Sequence, residues 1–154
     1  MNNTHINEAL LQLHQLLSTI NQRWIVIGSA SLMLSGYNII PRDIDILANN
    51  ETALIIHSLI KEYEVPVQLK DEGKFRSAFS RYIIGNISVE LMGDLEVKTD
   101  TGWINIYNMV AKPIEVILDG KRFKVPGKED QLLIYRLFNR LKDKAVIDLL
   151  TAVK

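Results

Sequence analysis

Asp43 and Asp45 stand one residue apart in PRDIDIL, inside a neighbourhood of isoleucine and leucine. Side chains on an extended strand alternate between its faces, so an Asp-Ile-Asp-Ile order puts both carboxylates on one side and both isoleucines on the other. Two ionised acids held together away from water repel, and a divalent cation is the simple remedy. The competing reading is a solvent-facing strand edge with two exposed aspartates. A third acid strengthens the metal reading. In NISVELMG, Glu90 shares a face with Ser88 and Met92, opposite Ile87, Val89 and Leu91. If this strand lies beside DIDIL, three carboxylates converge. A ligand set made only of carboxylate oxygens favours magnesium, with manganese as the alternative, over zinc. On its own Glu90 also reads as the polar face of an antiparallel strand.

Gly28-Ser29 offers the complementary chemistry upstream. A glycine lets a ligand approach the backbone, and the first turn of a following helix presents free N–H groups to an anion. Phosphates held there could reach a metal on the aspartates. The chain contains neither the G-x-x-x-x-G-K-[ST] nor the G-x-G-x-x-G phosphate motif, so the pair gains its meaning from the aspartates downstream.

These residues need elements to hold them. EALLQLHQLLSTI repeats leucine at helical spacing behind a capping Asn7, and RWIVI then reads as a short strand from Arg23 to Ile27. SASLMLSG reads as a short helix stopped by Gly36, DIDIL as a second strand from Asp43 to Leu47, and Asn49-Asn50 as the cap of a helix through ETALIIHSLIKEY. VPVQL, FSRYII and ISVELM predict three further strands separated by DEGK and Gly85-Asn86 turns. Beyond Asp94 the pattern weakens, although EVILDGKRFKV is a hairpin around Asp119-Gly120. EDQLLIYRLFNRLKDKAVIDLLTAV predicts one or two amphipathic helices from about residue 127. Strands in hairpin-like succession from Val65 to Met92 predict an α+β fold, with a mixed β-sheet and flanking helices rather than a doubly wound parallel sheet.

The bulk properties narrow the field. A chain of 154 residues is expected to form a single domain over 1–154. Lysine plus arginine equals aspartate plus glutamate at 18 each, so any electrostatic function is local and a long nucleic-acid track is disfavoured. Without cysteine there is neither a disulfide framework nor a thiolate metal site, which suits a cytoplasmic location. His5, His14 and His57 lack the spacing of zinc ligands. The first residues do not read as a signal peptide, and no apolar run is long enough to span a membrane.

Gly28-Ser29, thirteen intervening residues and then Asp43-Ile44-Asp45-Ile46 resemble the Gly-[Gly/Ser] to Asp-apolar-[Asp/Glu]-apolar signature of the DNA polymerase beta-like nucleotidyltransferase superfamily. Glu90 looks like its third carboxylate, and the likeness covers about Trp24 to Met92. The later RLKDKAVIDLL, Arg140 to Leu150, resembles the R-x-K-D-x-x-x-x-D helix of small bacterial members, including lincosamide and toxin-antitoxin nucleotidyltransferases. It also reads as an ordinary charged helix face. Where many such members carry Arg-x-Thr ahead of the aspartates, this chain has Ile40-Pro41-Arg42, so a hydroxyl is missing.

The resemblance implies an enzyme that moves a nucleoside monophosphate from a nucleoside triphosphate, ATP above others, to an acceptor hydroxyl. Asp43 and Asp45 would hold magnesium, Glu90 would complete a metal site or act as general base, and Gly28 and Ser29 would cradle the outer phosphates. Arg42 would meet a phosphate oxygen, with Lys74, Arg76 and Arg81 as further candidates, while Tyr37, Trp103 and Tyr107 could stack on a base or acceptor. The acceptor is expected to be a small molecule or a protein, and a homodimer could complete its pocket. The alternative is a catalytically inactive nucleotide-binding or protein-interaction module of the same fold.

Overall fold

In the computed structural model, residues 3–68 and 73–152 are described. The first helix, α1 (Thr4–Leu16), buries Ile6, Ala9, Leu10 and Leu13, an apolar stripe at three- and four-residue spacing. It starts earlier than the sequence suggests. The Asn7 N–H already donates to the Asn3 carbonyl at 2.8 Å, so Asn7 lies inside the helix and does not cap it. The next strand, β1 (Ile25–Ile27), is shorter than the expected Arg23 to Ile27 and wholly buried. Arg23 instead donates through its guanidinium to the Val110 and Tyr107 carbonyls, which draws it out of the ladder.

From β1 the chain turns directly into α2 (Gly28–Leu34), then forms β2 (Asp43–Ala48) and α3 (Asn50–Ile60). Asn49 caps α3 as expected, its side chain accepting from the Thr52 N–H at 2.8 Å. The strand expected at VPVQL shrinks to β3 (Glu64–Val65), because Pro66 has no N–H to continue the ladder; its Leu69 lies outside the described residues. Two long strands come next, β4 (Phe75–Ile84) and β5 (Ile87–Thr99), then β6 (Gly102–Asn105) and the one-turn α4 (Ile106–Met109). The hairpin β7 (Ile114–Leu118) and β8 (Lys121–Val125) turns at Asp119 and Gly120, both with positive φ, as a two-residue primed turn requires. The chain ends in α5 (Lys128–Phe138) and α6 (Asp143–Thr151), two helices where the sequence left one or two open.

The main sheet runs β1-β2-β5-β4-β3, with β6 added to the far end of β5. The β2–β5 pair is parallel and every other described pair is antiparallel. This is the expected α+β fold with a mixed sheet. Ile44, Ile46, Val89, Leu91 and Tyr82 face α1 and α3 on one side. Ile27, Leu47, Leu95 and Val97 face Ile106 of α4 and Ile134 and Phe138 of α5 on the other.

A bulge in β5 sets that second face. Ala78 pairs with Gly93 but Arg76 pairs with Glu96, so β5 carries one extra residue there, and Asp94 sits at φ 46°. An inserted residue shifts the alternation by one. Even-numbered Glu90 and odd-numbered Leu95 therefore look the same way. Asp94 also accepts from the Asn50 N–H at 3.0 Å and from Asn105 Nδ2 at 3.1 Å, tying α3 and α4 to the bulge.

Candidate active site

Strand alternation places Asp43 and Asp45 on the sheet face covered by α5, and the parallel register sets Asp45 beside Glu90 and Asp43 beside Ser88. Ligand oxygens of Asp43, Asp45 and Glu90 all lie within 4.8 Å of one another. The adjacency that the sequence left conditional is thus met. Burial is the largest influence on Asp45, the charge of Asp43 next and that of Glu90 third. Together they push its carboxyl up to about 8, against the partial relief of Lys142 and Arg140. Glu90 is also raised, by burial first and Asp43 second, with Arg81 and Lys142 opposing. The cluster is short of positive charge. With three carboxylates and only hard oxygen donors, these residues fit a divalent cation of the magnesium type.

The turn between β1 and α2 abuts this cluster. Ile27 pairs with Asp45 across β1 and β2, so the next residue, Gly28, comes alongside the same carboxylate. Gly28 has φ +71°, and a Cβ there would lie 2.7 Å from Asp45 Oδ2. A side chain at this position would be strained and would collide with the acid. Ser31 fixes the turn from beneath, donating to the Gly28 carbonyl at 2.7 Å. Behind it the buried Gln131 of α5 lies 3.3 Å from Ser31 Oγ through Oε1, and its amide nitrogen reaches Ser35 Oγ and the Pro126 carbonyl. A polar residue buried to 3% exposure in an apolar helix face thereby joins α5 to α2.

The α5–α6 junction supplies the opposing charge. Asn139 ends α5 in the left-handed conformation, and Asp143 then accepts from the Arg140 backbone N–H, Nε and Nη2 between 2.8 and 3.0 Å. Asp143 is 2% exposed, so this is a fixed fork rather than a loose surface pair. It holds the Arg140 guanidinium over the rings of Phe138 and Phe75, 5.0 and 5.8 Å from their centroids. Tyr135 of α5 stands close enough to feel Asp143 and Asp45, which, after burial, raise its hydroxyl above the usual tyrosine range.

These groups line one cavity of about 780 Å³. Gly28, Ser29, Asp43, Asp45 and Glu90 meet there, joined by Arg140, Lys142 and Asp143. The candidate Arg42 is exposed and does not line it. Lys74 does not line it either, whereas Arg76 does, bonded to Glu96 at 2.7 Å and stacked 4.0 Å from the Trp103 ring. Arg81 pairs across the strands with Glu90 and donates to Ser88 Oγ at 2.8 Å. Of the aromatic candidates, Tyr107 packs under the Arg23 guanidinium and Tyr37 joins the apolar cluster around Leu32. The ring-bearing wall is elsewhere. Phe75, Phe79 and Phe138 line the cavity; the alternation of FRSAFSR places Phe75, Ser77 and Phe79 on one face, a signal present in the sequence but not read as a site.

No family model matches the chain, and no curated protein is similar to it. Solved structures are similar. A candidate nucleotidyltransferase from Thermotoga maritima superposes with a TM-score of 0.79 at 25% identity, over 97% of this chain and 94% of that one. The lincosamide antibiotic adenylyltransferase LnuA, in its lincomycin-bound form, superposes with a TM-score of 0.60 at 16% identity, over 95% and 96%. ANT(2'')-Ia in complex with adenylyl-2''-tobramycin gives 0.62 at 10% identity, over 94% and 86%. The expected resemblance and fold are borne out: the chain has the nucleotidyltransferase fold, and nucleotidyltransferase is the enzyme class its neighbours support.

Proposed function

We propose that the protein transfers a nucleoside monophosphate from magnesium-bound ATP to a hydroxyl of a small acceptor. The observation that carries this reading is the convergence of Asp43, Asp45 and Glu90 within 4.8 Å, directly beside the Gly28-Ser29 turn. Asp43, Asp45 and Glu90 would hold the ion, which when bound offsets the charge of the triphosphate and polarises its reacting phosphoryl group. Gly28 and Ser29 receive the outer phosphates through backbone N–H groups, and the absence of a Cβ lets the turn pack directly against the Asp45 carboxylate. Arg140 and Lys142, both on the cavity wall, supply positive charge where negative charge accumulates on the leaving group. Arg42 is assigned an outer role, meeting a phosphate oxygen from the exposed side.

In the reaction the acceptor oxygen forms a bond to the α-phosphorus. The bond from that phosphorus to the α–β bridging oxygen breaks, and its electron pair leaves with pyrophosphate. The hydroxyl proton passes to a Glu90 carboxylate oxygen that the ion leaves free. The cysteine-free composition suits the cytoplasm. None of the described helices is long and apolar enough to cross a membrane. We also propose a homodimer that completes the acceptor pocket; sedimentation showing a monomer at micromolar concentration and above counts against it.

The test is calorimetric titration of a non-hydrolysable ATP analogue with and without magnesium, on the protein and on an Asp43→Asn/Asp45→Asn variant. Magnesium-dependent binding that the variant loses supports the reading, and no binding to the parent protein sinks it. The missing hydroxyl at Ile40-Pro41-Arg42 favours a second reading, a binding module without turnover. Binding without pyrophosphate release in the presence of any acceptor would support that alternative.

A further inference from the structure

The nucleotidyl-transfer reading, on which this inference rests, fixes the direction from which the acceptor must arrive. Attacking and leaving oxygens stand roughly in line at a transferred phosphoryl group. In the sheet order β1-β2-β5-β4, Gly28 follows β1 on one flank of the acids and β4 forms the other flank. Pyrophosphate held at Gly28-Ser29 departs on the β1 side. The hydroxyl therefore enters over β5 and β4.

That flank is built of rings and thioether rather than charge. Phe79 pairs with Met92, two residues along the strands from the Arg81–Glu90 pair and on the same face, and both line the cavity. The bulge at Asp94 then turns Leu95 to the same side, and Phe75 meets Phe138 of α5 edge to face at 5.1 Å to close the far end. Cationic groups rim this compartment: Arg76 at its edge and Arg140 over the two rings. Among the described residues lining the cavity, the carboxylates are Asp43, Asp45, Glu90 and Asp143. Three belong to the proposed ion and Asp143 is held by Arg140. None is left to receive an ammonium group.

We infer that the acceptor is a small hydroxyl compound with a flat, apolar body and no positive charge, seated against Phe79, Met92 and Phe75. A polycationic aminosugar would find no carboxylate free for its amines among the described residues that line the cavity, and Lys142 on the wall adds like charge to that unfavourable desolvation. The cavity of about 780 Å³ is shared with the nucleotide, and its Phe75, Phe79 and Met92 wall suits an apolar acceptor of modest size.

The probes are 2-naphthol, a neutral flat alcohol, and tobramycin, a hydroxyl-bearing polycation. Each is titrated into the protein saturated with magnesium and the non-hydrolysable ATP analogue. Naphthol should bind and tobramycin should not. Phe79→Ala should weaken naphthol by about tenfold or more while leaving the analogue's affinity within about twofold. Ser77→Asp, which adds an acid to the same wall while leaving the rings in place, should admit tobramycin. Tobramycin binding the parent protein as well as naphthol does, or no naphthol binding to the saturated protein, overturns the inference. So does a Phe79→Ala loss that falls on the ATP analogue, which would make this wall a nucleobase site. Failure of the analogue itself to bind with magnesium is a different result, striking the transfer reading first.

Discussion

Asp45 bears the heaviest electrostatic load of any described residue. Its carboxyl lies at about 8 in the fold against 3.8 for the free group. Between those values the folded protein keeps a proton that the unfolded chain has released, so without metal its stability falls as pH rises from about 4 to about 8 and then levels off. Asp45→Asn removes Asp45's share of that slope and leaves that of Glu90; thermal scans should find the variant more stable than the parent at pH 8, while magnesium-dependent analogue binding should be lost. A metal must displace the same proton. Magnesium affinity should therefore climb from pH 6 to pH 8, and calorimetry in buffers of different ionisation enthalpy should register about one proton released near pH 7. Gly28→Ala tests the neighbouring contact: a Cβ at 2.7 Å from Asp45 Oδ2, on backbone with φ +71°, must move the acid or the turn. Magnesium-dependent analogue binding should drop by at least tenfold, with the fold retained by circular dichroism. The two aspartates and Glu90 were legible because strand alternation fixes which way each one points. Arg140 and Lys142 were legible only as a resemblance, because helical charges look alike until a buried Asp143 is seen to hold one of them.

At the scale of elements, the site depends on how α5 and the β5 bulge are seated. Gln131 joins α5 to the Ser31 hydroxyl that supports Gly28. Gln131→Leu keeps a similar bulk but abandons those bonds; unfolding titrations should show a loss of about 1–3 kcal/mol for the orphaned groups. Analogue affinity should fall with it, whereas magnesium-free thermal behaviour at pH 8 should retain its dependence on Asp45. The longer helices and the β7–β8 hairpin could be read from spacing and from Asp119-Gly120, since those signals are local, whereas the one-turn α4 could not. β5 beyond Asp94 could not. Gly93-Asp94 resembles a turn, and the extra residue switches the apolar positions from Val89 and Leu91, which face α3, to Leu95 and Val97, which face α5. Gly93 has its own local reason: a Cβ there would lie 2.7 Å from Asn50 Oδ1 and 3.0 Å from Ala53 Cβ, so the tight α3–β5 contact excludes a side chain. A tertiary contact of this kind leaves no periodic trace.

Across the whole molecule, charge is balanced at 18 against 18, and, among the described residues, four acids and three bases line the cavity. A chain of balanced net charge has no overall excess of positive charge to release counterions on meeting a polynucleotide. Gel-shift experiments with a single-stranded oligonucleotide at physiological salt should show no retained complex, and a steep salt dependence there would contradict the small-acceptor assignment. The parallel pairing of β2 with β5 also gives the site a history within each molecule. Asp45 and Glu90 are neighbours in space but separated along the chain by α3, β3 and β4. During synthesis, Gly28, Asp43 and Asp45 emerge first, and no ribosome-bound fragment ending before Glu90 can assemble the three acids. The countercharge at Lys142 arrives later still. A growing chain thus passes through a stage with Asp43 and Asp45 made and still unmatched, and the proposed nucleotide site is complete only after Lys142 has left the ribosome.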